Sequence, residues 1–130
     1  MILGIGTDIV DVAEMARRIE RGRVLRVFSD AELAYADEKP KRRMQTLAAR
    51  WAAKEAFAKA LGTGIRAEWD LAELEVIRGE GGQPELRLGP SLRGLLPDGA
   101  RVHLTLSHTK TYALAVVLIE RAQGQGTGEL

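Results

Sequence analysis

The sequence predicts an α+β fold in which an antiparallel sheet packs against one long helix and several short helices. Residues 2–9 and several stretches after residue 73 alternate apolar and polar side chains, as half-buried strands do. Between them, apolar residues recur with the helical period, most extensively over 41–61. The sequence shows no internal repeat and no linker, so we expect a single domain over residues 1–122. The glycine-rich segment 123–130 is predicted to be a flexible tail.

The predicted first strand has one face with almost no side chains. Gly4, Gly6 and Asp8 lie on one side of its pleat, and larger residues such as Leu3 and Ile5 lie on the other. Because glycine has no side chain, a neighbouring segment or a ligand can approach the backbone closely along the glycine face.

Two short helices are marked by the residues at their N-termini. Apolar residues over 12–19 follow the i, i+3, i+4, i+7 spacing of an amphipathic helix, and Asp11 can cap its first turn. Ser29 and Glu32 form a capping box for a second helix. This helix should end before Pro40, because the residue before a proline avoids helical geometry.

The long helix predicted over 41–61 is apolar on nearly all sides, yet it carries four charges in its second half. These are Arg50, Lys54, Glu55 and Lys59. A helix of this kind belongs inside a protein or an interface, where a charge has to be paired with another charge, a metal or a ligand. The helix should end at Gly62, which can adopt the left-handed C-cap conformation. Its charged residues are therefore the first candidates for a functional site.

The second half of the chain predicts strands and turns, with one short helical or turn segment. The strands are expected around 74–76, 86–88, 102–106 and 112–119, with turns at 79–84 and 108–111 and the short segment at 91–96.

The composition is that of an ordinary globular protein and excludes several chemistries. The chain has 130 residues, a formal net charge of +1, 45% hydrophobic residues and 28% charged residues. It has no cysteine, which excludes disulfides, thiolate catalysis and cysteine-based metal sites. No apolar run approaches the ~20 residues that span a bilayer, and residues 1–11 lack the basic start of a signal peptide. We therefore expect a cytoplasmic protein without a membrane partner.

Positive charge is nevertheless concentrated in two clusters. Such clusters can receive an acidic protein, phosphates or nucleic acid, and can equally be solvated helix faces. The first comprises Arg17, Arg18, Arg21, Arg23 and Arg26, and the second comprises Lys39, Lys41, Arg42 and Arg43.

Common phosphate-binding and hydrolase motifs are incomplete in this sequence. The segment GIGTDI has isoleucine where a dinucleotide fingerprint needs its third glycine, and there is no Walker A lysine pattern. Ser107 and His108 are neighbours on a predicted strand, so their side chains should point to opposite faces. With no oxyanion motif beside them, they do not indicate a hydrolase.

Asp8 and Glu55 are better candidates for chemistry. Mg²⁺ typically takes one or two protein carboxylates and completes its coordination shell with water and substrate phosphates. Asp8 and Glu55 could form such a pair; alternatively, Glu55 pairs with Lys59 one turn away and Asp8 caps the following helix. Spacing alone leaves both interpretations open. Side chains then available to hold phosphate oxygens are Arg50, Lys54, Lys59 and His108.

Three motifs spread over the chain resemble one family. They are GIGTDIVD at 4–11, RWAAKEAFAKALGTGI at 50–65 and SHTKTYALA at 107–115. In sequence, order and spacing they resemble the holo-(acyl-carrier-protein) synthases, the short bacterial type of 4′-phosphopantetheinyl transferase. The resemblance covers essentially the whole chain.

The resemblance implies a transferase that moves 4′-phosphopantetheine from coenzyme A to a serine of apo acyl carrier protein, for fatty acid synthesis. It implies Mg²⁺ held by Asp8 and Glu55, which with Lys59 would be the catalytic residues. Lys54 is expected at the transferred group or in a buried pair rather than as a base. The residues expected to bind coenzyme A are Arg50, Lys54, Lys59, Gly62, Gly64 and His108.

The resemblance also implies partners. A homotrimer with sites shared between neighbouring subunits would account for the bare glycine face and for a helix that is apolar on many sides. The acidic carrier protein would dock on the basic helix that carries Arg17, Arg18 and Arg21.

The sequence departs from the family pattern near this docking helix. Glu14 stands where the family commonly has arginine, and Asp11 where it has glutamate, although Arg17 or Arg18 could compensate one turn later. Gln83 stands where a lysine is common. These departures leave the metal pair intact and the contacts with the carrier protein open.

Two other functions are compatible with the sequence. One is a related transferase that serves polyketide or peptide carriers. The other is a noncatalytic module that holds nucleic acid on its basic clusters, although two Phe, two Tyr and two Trp are few for a platform that stacks on bases.

Overall fold

A computed structural model describes residues 1–22 and 25–122 and confirms the α+β fold. The flexible tail predicted at 123–130 lies outside the described residues. The helices are α1 (Val12–Glu20), α2 (Asp30–Asp37) and α3 (Arg43–Leu61), and the strands are β1 (Ile2–Asp11), β2 (Leu74–Arg78), β3 (Pro84–Leu88), β4 (Ala100–His108) and β5 (Tyr112–Arg121).

The strands form two antiparallel sheets rather than one. The larger sheet has the order β1-β5-β4, and the smaller sheet pairs β2 with β3. In the larger sheet Asp8 lies opposite Ala115, which in turn lies opposite Leu106. Helix α3 packs across the inner face of this sheet, and its Phe57 is buried with residues of both sheets. The long helix is thus the element around which both sheets are arranged.

The two glycines of β1 allow α3 to lie directly on the strand. A Cβ atom on Gly4 would overlap the backbone oxygen of Ala60, and one on Gly6 would overlap the backbone of Ala56 and Ala60. The glycine face is therefore covered by a helix of the same chain. This corrects the expectation that a site shared between subunits accounts for that face.

The helix ends follow the local signals in the sequence. Asp11 caps α1 by accepting a hydrogen bond from the backbone of Glu14, and Ser29 and Glu32 form the reciprocal capping box of α2. Gly62 ends α3 with a φ of 84°, in the left-handed region that glycine adopts without strain. The start of α3 differs from the prediction: Pro40–Arg42 forms a 3₁₀ turn, and the α-helix begins at Arg43 instead of residue 41.

A buried ion pair joins α2, α3 and the smaller sheet. The ammonium of Lys54 donates to the Glu32 carboxylate at 2.8 Å and to the backbone oxygens of Leu71 and Leu74 at 2.8 and 2.5 Å. The Glu32 carboxylate also accepts from the backbone N–H groups of Ser29 and Val76. Both charged side chains are fully buried. Every ammonium donor is used, which is the condition under which a buried charge is tolerated.

The outer face of the larger sheet is apolar and open to solvent. Ile5 and Ile9 of β1 are 65% and 63% exposed, and Leu114 and Tyr112 of β5 are exposed beside them. A contiguous apolar area such as this outer sheet face commonly marks an interaction surface.

None of the helices in the described ranges is long and apolar enough to cross a membrane.

We predict that Gly6→Ala destabilises the protein by about 1–3 kcal/mol, because the added methyl group would force α3 away from β1. Urea unfolding monitored by circular dichroism measures the change. Gly94→Ala is the matched control, since a Cβ there meets no atom within 4 Å. Equal stability of the two variants would contradict the close packing described here.

We predict that Lys54→Ala lowers the free energy of unfolding by about 3–5 kcal/mol, because Glu32 would lose its buried counterion. Lys110→Ala, at an exposed lysine in the β4–β5 turn, should leave it almost unchanged. Thermal and urea unfolding of the two variants measure the difference. If Lys54→Ala were as stable as Lys110→Ala, the ion pair would have no structural role.

Candidate active site

A cleft of about 360 Å³ lies where β1, α1 and α3 meet. Its walls include Asp8 from β1, Arg18 from α1, and Trp51 and Glu55 from α3. The structure therefore brings together the two carboxylates that lie 47 positions apart in the sequence. Their proximity follows from the packing of α3 on the glycine face of β1, since Asp8 continues that face.

Helical periodicity determines which residues of α3 face the cleft. Trp51, Glu55 and Lys59 are spaced four residues apart, so they follow one another along one side of the helix. Arg50 and Lys54 form a second such row, rotated by about 100° from the first. The four charges that the sequence places together are therefore divided between two faces.

The charges at the cleft are arranged around Asp8. The ammonium of Lys59 donates to the Asp8 carboxylate at 3.0 Å and to the backbone oxygen of Thr7 at 3.1 Å. Burial raises the pKa of Glu55, and the negative charge of Asp8 raises it further, against a smaller opposing effect of Lys59 and Arg18. A half-buried carboxylate whose pKa is raised by a neighbouring carboxylate gains from a bound cation, which would favour its charged form.

These contacts exclude the alternative interpretation of the carboxylates. Lys59 forms its ion pair with Asp8 and not with Glu55. The cap of α1 is Asp11, so Asp8 is not required for that purpose. Glu55 is thus left without an ion pair among the described residues, and Asp8, paired with Lys59, faces the same cleft.

The donor set, two carboxylates without histidine or cysteine, fits a hard cation such as Mg²⁺. Among residues 1–22 and 25–122, no group of three or more His, Cys, Asp or Glu side chains is placed to hold a metal ion. A metal in this cleft would have Asp8 and Glu55 as protein ligands and would need further oxygen ligands from water or from a substrate. Mg²⁺ is commonly bound in this way at phosphate-transferring sites.

The structure places Lys54 in a buried ion pair and not in the cleft, so its expected contact with coenzyme A stays a prediction. Its side chain is fully buried, and its three donors are used by Glu32 and two backbone oxygens. It therefore forms the buried pair that was considered as the alternative. The sequence could not distinguish the two roles, because Glu32 is distant along the chain.

Arg50 lies on the same side of α3 as Lys54, away from the cleft. Its guanidinium stacks over the ring of Tyr35 at 4.4 Å, and the side chain is only 5% exposed. Burial lowers the pKa of Arg50. Its Nε atom has no hydrogen-bond partner among the described residues. Its expected role in binding coenzyme A stays a prediction.

The remaining expected residues lie outside the cleft of this chain. Gly62 and Gly64 follow the C-terminus of α3, both with positive φ, and the backbone N–H of Gly64 donates to the oxygen of Ala58. His108 is the last residue of β4, opposite Ala113 of β5, and it is exposed. Their roles in coenzyme A binding also stay predictions.

Sequence reasoning missed the position of two residues in the cleft. Trp51 was not among the expected site residues, and Arg18 was expected on the docking surface. In the structure the Arg18 guanidinium lies over the Trp51 ring at 6.0 Å, at the wall of the cleft. The spacing of Trp51 one turn before Glu55 was the available signal for its position.

Comparison with known proteins identifies the family. Residues 4–117 match the family model of the 4′-phosphopantetheinyl transferase superfamily. A holo-[acyl-carrier-protein] synthase from Treponema denticola is 45% identical over 123 residues, covering 92% of this chain and 99% of the relative. One from Geobacillus kaustophilus is 40% identical over 124 residues, covering 93% and 91%.

A solved structure has the same fold. It is a holo-(acyl-carrier-protein) synthase from Bacillus anthracis in complex with CoA (3′,5′-ADP), with a TM-score of 0.78 and 33% sequence identity. The alignment covers 94% of this chain and 99% of that chain. By sequence, by fold and by the motifs that build its cleft, the chain belongs to the holo-[acyl-carrier-protein] synthases of the 4′-phosphopantetheinyl transferase superfamily.

Proposed function

We propose that this protein transfers 4′-phosphopantetheine from coenzyme A to a serine of apo acyl carrier protein, with Mg²⁺, in cytoplasmic fatty acid synthesis. The products are holo acyl carrier protein and adenosine 3′,5′-bisphosphate. The observation that carries the proposal is the meeting of Asp8 and Glu55 in one cleft of a chain that belongs to this family. The synthase from Bacillus anthracis was crystallised with CoA (3′,5′-ADP), which supports coenzyme A as the donor.

The reaction exchanges one phosphorus–oxygen bond for another. The serine oxygen bonds to the phosphorus that carries pantetheine, and the bond from that phosphorus to the bridging oxygen breaks. The electron pair leaves with adenosine 3′,5′-bisphosphate. The serine proton would leave through the Glu55 carboxylate or through a water molecule in the cleft.

The cleft residues supply charge where the reaction develops it. Asp8 and Glu55 would hold Mg²⁺, which when bound contributes positive charge to the pyrophosphate oxygens. Lys59, about half exposed beside Asp8, can turn its ammonium toward a phosphoryl oxygen. Fixed cationic donors of this kind stabilise the charge that builds up on the leaving phosphate.

The exposed side of α1 offers a surface for the acidic carrier protein. Arg17 and Arg18 are exposed on this helix and Arg21 is exposed at its C-cap, and the helix forms one wall of the cleft. Complementary charge would steer the carrier toward the cleft and orient its serine.

A homotrimer is supported by the apolar outer face of the larger sheet. In this face the side chains of Ile5, Ile9 and Leu114 are left in solvent by a single chain. Covering them with other subunits would bury the apolar area. Neighbouring subunits would then supply the coenzyme A contacts that lie outside this chain's cleft, namely Arg50, Gly62, Gly64 and His108.

We predict that Asp8→Ala and Glu55→Ala each lower the transfer rate by about a hundredfold or more, because each removes a ligand of the cation. Intact-mass spectrometry of apo acyl carrier protein with coenzyme A and Mg²⁺ measures the gain of one phosphopantetheine. Glu38→Ala, at an exposed carboxylate outside the cleft, is the matched control. EDTA should abolish transfer by the wild type.

The same assay tests the function itself. No mass gain with the wild-type protein and any divalent metal would contradict the transferase. Full transfer by both carboxylate variants would contradict the metal assignment while leaving the activity in place. Comparison of fatty acid, polyketide and peptide carrier proteins identifies the preferred acceptor.

We predict that Arg21→Glu raises the KM for carrier protein about tenfold or more, while the KM for coenzyme A changes little, because a docking contact becomes repulsive. Steady-state kinetics with each substrate varied in turn gives both constants. Arg66→Glu makes the same charge change at an exposed residue outside α1. Equal effects on both constants would place the docking surface elsewhere.

We predict that Ile5→Glu converts the proposed trimer to a monomer, because it places a charge in the exposed apolar face of the sheet. Sedimentation equilibrium measures the mass of each variant. Gln83→Glu adds the same charge at the exposed β2–β3 turn and should leave the trimer intact. A wild-type protein that sediments as a monomer would overturn the trimer proposal.

A further inference from the structure

Arg18 differs from its basic neighbours on α1 by its position. Of Arg17, Arg18 and Arg21, only Arg18 lines the cleft with Asp8 and Glu55. Arg17 lies at another angle around the helix and Arg21 is its C-cap residue, and neither lines the cleft. Arg18 can therefore contact a ligand in the cleft, whereas Arg17 and Arg21 cannot do so from their positions.

The charge balance of the cleft gives Arg18 a distinct task. The carboxylates that line the cleft are those of Asp8, Asp11, Glu14 and Glu55. Among the described residues that line it, Arg18 is the only basic one, and the ammonium of Lys59 lies beside the cleft, paired with Asp8. Four carboxylates repel a pyrophosphate, so an anion in this cleft requires compensating positive charge. Even with a cation on Asp8 and Glu55, the wall formed by α1 offers the anion only Arg18.

The guanidinium of Arg18 lies near the Trp51 ring, and its donors are unused among the described residues. Its carbon lies 6.0 Å from the centre of the Trp51 ring, and it forms no ion pair or side-chain hydrogen bond with any other described residue. A planar guanidinium on an aromatic face keeps its N–H groups free at its edge. Such an edge can make paired hydrogen bonds to a phosphate.

We propose that Arg18 binds a phosphoryl oxygen of the coenzyme A pyrophosphate in the cleft, and that Trp51 positions its guanidinium for this contact. The proposal rests on the proposed function, since it takes coenzyme A as the donor. It assigns Arg18 to the reacting group and leaves Arg17 and Arg21 to the carrier protein. The contact stabilises the charge that develops on the phosphoryl oxygens as the bridging bond breaks.

Kinetics separates the two roles. We expect Arg18→Ala to lower kcat by about tenfold to a hundredfold, with Arg18→Lys recovering part of the loss because it keeps the charge but not the paired donors. Arg17→Ala, the adjacent exposed arginine, is the matched control and should affect only the KM for carrier protein. If Arg18→Ala raised only that KM, Arg18 would be a docking residue and the proposal would be wrong.

Binding provides a readout that does not need turnover. In a Trp69→Phe background, Trp51 is the remaining tryptophan, and its fluorescence should respond to coenzyme A or inorganic pyrophosphate in the presence of Mg²⁺. We expect Arg18→Ala to weaken the affinity for both probes about tenfold or more relative to Arg17→Ala. Equal affinities in the two variants would overturn the proposal.

The outcomes distinguish this proposal from the function on which it rests. A wild-type protein that transfers phosphopantetheine, with Arg18→Ala behaving as Arg17→Ala, contradicts the role of Arg18 alone. A wild-type protein that transfers nothing contradicts the proposed function. In that case, loss of pyrophosphate binding in Arg18→Ala would still support a phosphate contact in the cleft.

Discussion

The close packing of α3 on β1 is the constraint from which the rest of the structure follows. It is possible because Gly4 and Gly6 present bare backbone to Ala56 and Ala60, so that helix and strand meet without intervening side chains. Asp8 is the next residue on the same face of β1, where the packed helix presents Glu55. The distance between the two carboxylates is thus set by backbone contacts, which are more rigid than side-chain contacts.

Successive side chains of a helix point about 100° apart, so the adjacent residues Lys54 and Glu55 lie on different sides of α3 and have different surroundings. Lys54 faces α2 and the smaller sheet, where Glu32 and two backbone oxygens satisfy it completely. Glu55, one residue later, faces the cleft, where it has no ion pair among the described residues and its pKa is raised. Lys54 is thus fully hydrogen-bonded within the fold, whereas Glu55 is unpaired among the described residues.

The larger sheet also has two faces with different roles. Its inner face is closed by α3, while its outer face leaves Ile5 and Ile9 in solvent. Packing within a single chain therefore explains why β1 has glycines on its inner face, but it does not explain why isoleucines are exposed on its outer face. The proposed trimer would cover this apolar surface and would bring together the residues expected to bind coenzyme A.

The sequence alone determined the elements, because caps, glycines and hydrophobic periodicity act locally. The capping box of Ser29 and Glu32, the left-handed Gly62 and the alternation of the strands predicted their own structures. The family resemblance supplied the pairing of Asp8 with Glu55, which no local pattern contains. Only the tertiary structure showed that Lys54 is buried against Glu32 and that Arg18 faces the cleft, because the neighbours of a side chain depend on how distant segments pack.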